Sequence, residues 1–85
     1  MKVQFHKNFI KQYKKLRIIR KQIDERLTLF KSNPFESILH NHGLVGKYKG
    51  CRSINITGDF RAIFEIVDKH TMRFIDIDTH NNLYK

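Results

Sequence analysis

Residues 47–78, KYKGCRSINITGDFRAIFEIVDKHTMRFIDID, decide the fold. Side-chain character alternates along this stretch as it does along a strand. Tyr48, Arg52, Ile54 and Ile56 share one parity, while Lys47, Lys49, Cys51, Ser53 and Asn55 share the other. Thr57-Gly58-Asp59 breaks the pattern with residues that favour tight turns. Phe60, Ala62, Phe64 and Ile66 then alternate with Arg61, Ile63, Glu65 and Val67. Asp68-Lys69-His70-Thr71 makes a second turn, and Met72–Asp78 a third strand. Three strands joined by two short turns predict an antiparallel meander that Lys47 and Lys49 open and Asp78 closes.

Before this stretch, residues 35–46 read as a loop ending on Gly43 and Gly46. Upstream, the apolar spacing becomes helical. Phe9, Tyr13 and Leu16 recur at i, i+4, i+7, and Ile23, Leu27 and Phe30 repeat that spacing. Two helices follow, broken near Arg17–Lys21. The second ends at Ser32-Asn33-Pro34, because the residue before proline is pushed out of the helical region. Val3 and Phe5 suit a short strand before the first helix, and the tail Thr79–Lys85 has room for one helical turn. The predicted fold class is therefore α+β: a short N-terminal strand, then two helices packed on one face of an antiparallel sheet, which ends in the three-strand meander. Residues 1–85 are read as one domain. No helix is left for the opposite sheet face, which is expected to be polar and free to bind.

Charge narrows the function. Seventeen Lys and Arg oppose eight Asp and Glu, a net +9 with histidines neutral. Such an excess costs self-repulsion and attracts polyanions: nucleic acid, an anionic membrane surface or an acidic protein. Cys51 is the only cysteine, which excludes an intrachain disulfide scaffold. The N-terminus has no apolar signal core, and no window approaches the ~20 apolar residues of a membrane span. The chain reads as cytoplasmic, with no membrane association.

Polar residues gather at one end of this scheme. His40 and His42 lie in the loop before the meander, and Lys47 and Lys49 open its first strand. Asp59 and Arg61 flank the first hairpin turn, and His80 follows the last strand. Cleaving RNA through its own 2′-hydroxyl needs a base, an acid and cations to hold the charge on the phosphorane. Histidine suits either proton role. Lysine and arginine suit the charge role, and Tyr84 suits stacking on an unpaired base. His6 and His70 read as surface residues, and Tyr48, Phe60, Phe64 and Phe74 as core. His40, His42, His80 and Cys51 lack the paired spacing of a zinc site, so no metal and no cofactor is expected. Composition and pattern alone end at a basic α+β domain suited to nucleic acid.

Three motifs go further. His42-Gly43-Leu44-Val45-Gly46-Lys47-Tyr48-Lys49-Gly50-Cys51-Arg52 resembles the H-x-L-x-G-x-(W/Y)-K-G-x-R signature of RelE/ParE-superfamily toxins, in their YafQ-like branch. Gly58–Phe64 is similar to that family's second meander strand. Asp78-Thr79-His80-Asn81-Asn82-Leu83-Tyr84 is similar to its closing G-T-H-x-x-L-(F/Y) segment. The resemblance implies a type II toxin that cuts mRNA as a metal-independent endoribonuclease, in many members on the ribosome. It also implies an acidic antitoxin as partner, with operator DNA bound only through the antitoxin complex. Position by position, it implies catalytic roles for His42, Asp59, His80 and Tyr84 and a phosphate-binding role for Arg61, beside Lys47 and Lys49. Ser53 and Asn55 depart from an aspartate and a histidine of YafQ-like toxins, and Asp78 from a glycine. The alternatives are a ParE-like toxin that binds gyrase, or a non-catalytic member that binds RNA or antitoxin.

Overall fold

The computed structural model describes residues 1–84. Strand β1 (Lys2–Phe5) leads into helix α1 (Lys7–Lys15), and helix α2 (Arg20–Ser32) follows. His6 starts α1 by accepting the Asn8 backbone N–H on Nδ1 at 3.1 Å, which satisfies a donor the helix itself leaves unpaired. The predicted stripe of α2 is real: Ile23, Leu27 and Phe30 are its buried residues. Asn33 is extended (φ −151°, ψ 95°), as its place before Pro34 requires.

The meander comprises β3 (Cys51–Asn55), β4 (Phe60–Asp68) and β5 (Thr71–Thr79). It is preceded by a two-residue strand, β2 (His42–Gly43), and followed by a one-turn helix, α3 (His80–Leu83). The sheet order is β1-β5-β4-β3-β2. Pairing is antiparallel except at one edge, where β1 runs parallel to β5 with Val3 opposite Met72 and Phe5 opposite Phe74. The sheet is therefore mixed. That edge places Phe5 against Phe9, ring centroids 5.2 Å apart, and so anchors α1 to the sheet.

Alternation puts one parity of the meander beneath the helices. Ile54, Ala62 and Ile77 lie in register across three strands, all fully buried. Phe30 packs edge-on against Phe64 at 4.9 Å and Phe74 at 5.1 Å. Burying an aromatic ring of this kind stabilises by roughly 1.5–3 kcal/mol before packing geometry is counted.

Three expectations are corrected. Lys47 and Lys49 do not open a strand. Gly46 (φ +67°) and Gly50 (φ +91°) take left-handed backbone on either side of them, so Gly46–Tyr48 forms a 3₁₀ turn and the strand begins at Cys51. The loop over 35–46 is also more structured than expected. It holds a 3₁₀ turn, Ser37–Leu39, whose Leu39 is fully buried, and then β2.

The third correction concerns the outer sheet face, which is only partly free. Its Ile63, opposite Ser53 and Asp76, is fully buried outside the main core. Tyr48 donates its hydroxyl to Asp76 Oδ2 at 3.3 Å, and Lys47 Nζ lies 3.5 Å from the Leu83 carbonyl. The 3₁₀ turn and α3 thus cover this part of the face, and Tyr48 is a half-buried cover residue instead of core.

Candidate functional site

Register decides which side chains meet at the open end of the outer face. His42 pairs with Ser53 across β2 and β3, and Asn55 pairs with Arg61 across β3 and β4. Paired residues point to the same side of a sheet, and so do residues two apart on one strand. His42, Ser53, Asn55 and Arg61 therefore share one face.

The His42 wall is locked from behind. His40 ends the Ser37–Leu39 turn in left-handed backbone (φ 47°, ψ 49°), the only non-glycine residue among those described with positive φ. Its carbonyl lies 2.8 Å from His42 Nδ1. A carbonyl only accepts, so Nδ1 is the donor in this contact, and in the neutral ring the lone pair is on Nε2. The two imidazole rings lie 4.9 Å apart. Between them in sequence, Asn41 donates to the Pro34 carbonyl at 2.9 Å. It also receives Arg52 Nε on Oδ1 at 2.8 Å and Arg52 Nη2 on its carbonyl at 3.4 Å. This two-point grip fixes the backbone that aims both rings.

The opposite wall is the junction of β5 and α3. His80 donates its backbone N–H to the Asp59 carbonyl at 2.9 Å. Thr79 Oγ1 caps α3 by accepting the Asn82 N–H at 3.2 Å. Asp78 Oδ1 accepts the Thr79 N–H at 2.7 Å and Asn82 Nδ2 at 3.1 Å. Asp78 therefore reinforces the turn that presents His80. Tyr84 closes this wall, its ring 4.9 Å from His80 and edge-on to Tyr48 at 6.0 Å.

These walls enclose a cavity of about 230 Å³. His40, His42, His80 and Tyr84 line its sides, with Arg61 at one edge and Ser53 and Asn55 at its floor. Ser53 is 1% exposed, and its Oγ has no partner among the described residues. Asn55 Oδ1 is likewise buried and unpartnered. An orphaned buried polar group costs about 1–3 kcal/mol. Arg61 bends back so that Nη1 donates to the carbonyls of Thr57, Gly58 and Phe60, at 3.0 to 3.1 Å.

Of the residues singled out in the sequence, the fold brings together His42, Arg61, His80 and Tyr84. It does not bring in the other three. The Asp59 side chain is exposed on the hairpin, and only its carbonyl serves the site. Lys47 lies against Tyr48, Nζ 5.3 Å from the ring centroid, and Lys49 is exposed. His40 is the lining residue that pattern reading left without a role. Its only signal was its place two residues before His42.

The two phenols and the thiol beside the cavity are held in their protonated forms. Burial first, and then the neighbouring Asp76 charge, push the Tyr48 phenol up to about 12. Burial raises the Tyr84 phenol too, against the opposing effect of the Arg61 charge. Both phenols stay protonated at neutral pH. Burial, then the charge of Glu65, raises the Cys51 thiol and disfavours a thiolate nucleophile. Among the described residues, no three His, Cys, Asp or Glu side chains are grouped to hold a metal ion. A larger cleft of about 520 Å³ lies between α1 and α2, with Phe9, Tyr13 and Leu27 among its lining and no imidazole. Its apolar lining suits contacts. No helix among the described residues is long and apolar enough to cross a membrane.

Residues 1–85 match the family described as bacterial toxin of type II toxin-antitoxin system, YafQ. The chain superposes on the crystal structure of YafQ from E. coli strain BL21(DE3) with a TM-score of 0.81 and 23% identity, covering 98% of this chain and 97% of that one. The E. coli DinJ-YafQ toxin-antitoxin complex gives a TM-score of 0.79 at 23% identity, over 98% and 96% of the two chains. A YoeB/ParE toxin from Agrobacterium tumefaciens gives 0.77 at 19% identity, over 94% and 99%. At these identities the superpositions speak for the fold. No curated protein sequence matches the chain.

Proposed function

We propose, for a chain that belongs to the YafQ family of bacterial type II toxins, that it is an endoribonuclease cutting mRNA without a metal. The observation that carries this reading is the convergence of His42, His80, Arg61 and Tyr84 on one cavity in a strongly basic protein. In the proposed reaction, His42 Nε2 takes the proton of a ribose 2′-hydroxyl, since its Nδ1–H is held by the His40 carbonyl. The 2′-oxygen attacks the adjacent phosphorus and the P–O5′ bond breaks. His80 gives its proton to the departing 5′-oxygen, leaving a 2′,3′-cyclic phosphate and a 5′-hydroxyl. Arg61 stabilises the phosphorane charge, and Tyr84 stacks on a base drawn out of its helix. Lys47 and Lys49 lie outside the cavity, where they attract flanking phosphates without orienting the reacting one. Asp59 contributes its carbonyl to the placing of His80.

The net charge also calls for a restraining partner. We assign that role to an acidic, partly disordered antitoxin that folds on this basic surface. The E. coli DinJ-YafQ complex is a precedent in the same family. Operator DNA is contacted only through that complex. The setting is the bacterial cytoplasm, and the ribosome presents the mRNA.

The test is incubation with mRNA in excess chelator, with and without translating ribosomes, comparing wild type and His80→Ala. Wild-type cleavage with cyclic-phosphate ends is expected, with a loss of ~10²–10⁴-fold in the variant, as removal of an acid or base entails. A loss of only a few-fold would remove His80 from the reaction. Intact RNA in every lane, from folded protein, would leave a toxin that acts by binding, such as one directed at gyrase.

A further inference from the structure

Proton transfer and phosphate binding use the walls of the cavity but leave its floor without a task. Ser53 and Asn55 sit two apart on β3, flanked in register by His42 and Arg61. Both line the cavity, and Ser53 Oγ and Asn55 Oδ1 are buried without partners among the described residues. Nearly all buried polar atoms in folded proteins are paired. Two orphans side by side on the floor of one cavity are accounted for by a ligand that brings the partners.

The atoms restrict that ligand. An amide carbonyl only accepts, so its partner must donate. Phosphodiester oxygens only accept, so they do not fit there, and Arg61 is the group that suits them. A nucleobase edge fits: it offers N–H donors beside ring acceptors, the pattern a side-chain amide matches with Oδ1 and Nδ2 together. Tyr84 supplies an aromatic face in the same cavity, and single-stranded RNA is read by such stacking combined with edge hydrogen bonds. We infer that Ser53 and Asn55 form a base-reading floor: Asn55 hydrogen-bonds the edge of one RNA base stacked on Tyr84, and Ser53 completes the pairing. The inference rests on the reading above that RNA enters this cavity, and it adds the residues that set base preference.

The test uses four short 2′-fluoro RNA homo-oligonucleotides, which cannot be cut because they lack the 2′-hydroxyl, and an abasic oligomer of equal length. All five carry the same phosphates, so differences among them report bases alone. Wild type is expected to bind at least one base-bearing oligomer about ten-fold or more above the weakest of the other three, within the range of a good edge pair. Asn55→Ala should bind the four base-bearing oligomers alike, keeping over the abasic one only what stacking on Tyr84 gives. Asn55→Asp should change the rank order of the four bases, because a carboxylate accepts without donating. Ser53→Ala should lose part of the discrimination. Thermal melting of Ser53→Ala and Asn55→Ala should match or exceed wild type, since each removes an orphaned polar atom.

Discrimination among the four bases that survives in Asn55→Ala would overturn the inference. So would uniform weakening toward all five oligomers, or lowered melting with base discrimination unchanged. Cleavage assays on natural RNA separate the two claims. Wild type that cuts RNA with a base preference indifferent to residue 55 sinks the floor and leaves the ribonuclease. Wild type that discriminates bases through residue 55 but cuts nothing sinks the ribonuclease and leaves the floor. Wild type that binds none of the oligomers overturns the floor, and cleavage of mRNA then decides the ribonuclease by itself.

Discussion

The backbone N–H of His80 is held by the carbonyl of Asp59 at 2.9 Å, which ties the first hairpin turn to the residue just past the last strand. This bond is independent of the side chain at position 59. Asp59→Ala should accordingly keep activity within about three-fold of wild type, far from the ~10²–10⁴-fold cost of losing an acid or base. Single-turnover cleavage rates of the two proteins decide it. A hundred-fold loss in a folded Asp59→Ala would return the carboxylate to the chemistry.

The α3 turn depends on its cap. Thr79 Oγ1 and Asp78 Oδ1 together receive three donors from the turn that carries His80 and Tyr84. Thr79→Ala should cost about 0.5–2 kcal/mol, as loss of an N-cap hydroxyl does, and Thr79→Ser should restore most of it. Faster amide hydrogen exchange at Asn82 to Tyr84, with a lower cleavage rate, is the expected signature. Unchanged exchange would mean that packing of Leu83 alone holds the turn.

Arg52 grips Asn41 at two points and so fixes the backbone between His40 and His42. A hydrogen bond from a charged donor contributes about 1.5–3 kcal/mol. Arg52→Ala should therefore lower unfolding stability by about that amount. Arg52→Lys should recover little, because an ammonium cannot reproduce the planar fork. Urea unfolding of the three proteins tests both statements. Full recovery by lysine would reduce the grip to a charge effect.

Alkaline stability should follow Tyr48. Its phenol has a folded-state pKa of about 12 against an ordinary 10.0, so the fold favours the neutral form. That contribution is complete below pH 10 and is lost as pH rises through about 12. Between those limits, wild type should lose more unfolding free energy than Tyr48→Phe, which has no phenol to ionise. Some loss persists in the variant because Tyr13 and Tyr84 are also raised, the first mainly by its hydrogen bond to Asp24. Parallel pH profiles for the two proteins would remove Tyr48 from the alkaline transition.

Much of this architecture was legible in the chain because local rules and burial agree. The Ile23, Leu27, Phe30 stripe, the stop before Pro34 and the two meander turns all stand where periodicity and turn chemistry put them. Lys47 and Lys49 were misplaced because alternation continues across Gly46 and Gly50, whose left-handed backbone leaves no trace in side-chain parity. The parallel partner of β1 was illegible for another reason. A short strand carries no signal of which distant edge it joins, and only the gain from seating Phe5 on Phe9 and Phe74 chooses β5.

The basic charge, the α+β order and the supply of imidazoles follow from the chain alone, since composition and periodicity act along it. Tertiary structure alone decided which of those groups share a cavity. Strand register set His42 beside Ser53 and Asn55 beside Arg61, and a backbone bond between residues 59 and 80 closed the far wall. It also drew in His40 and left the Asp59 side chain outside. The physical reason is that a sheet turns distant positions into neighbours through its hydrogen-bond register, and register is fixed by which whole face the core buries.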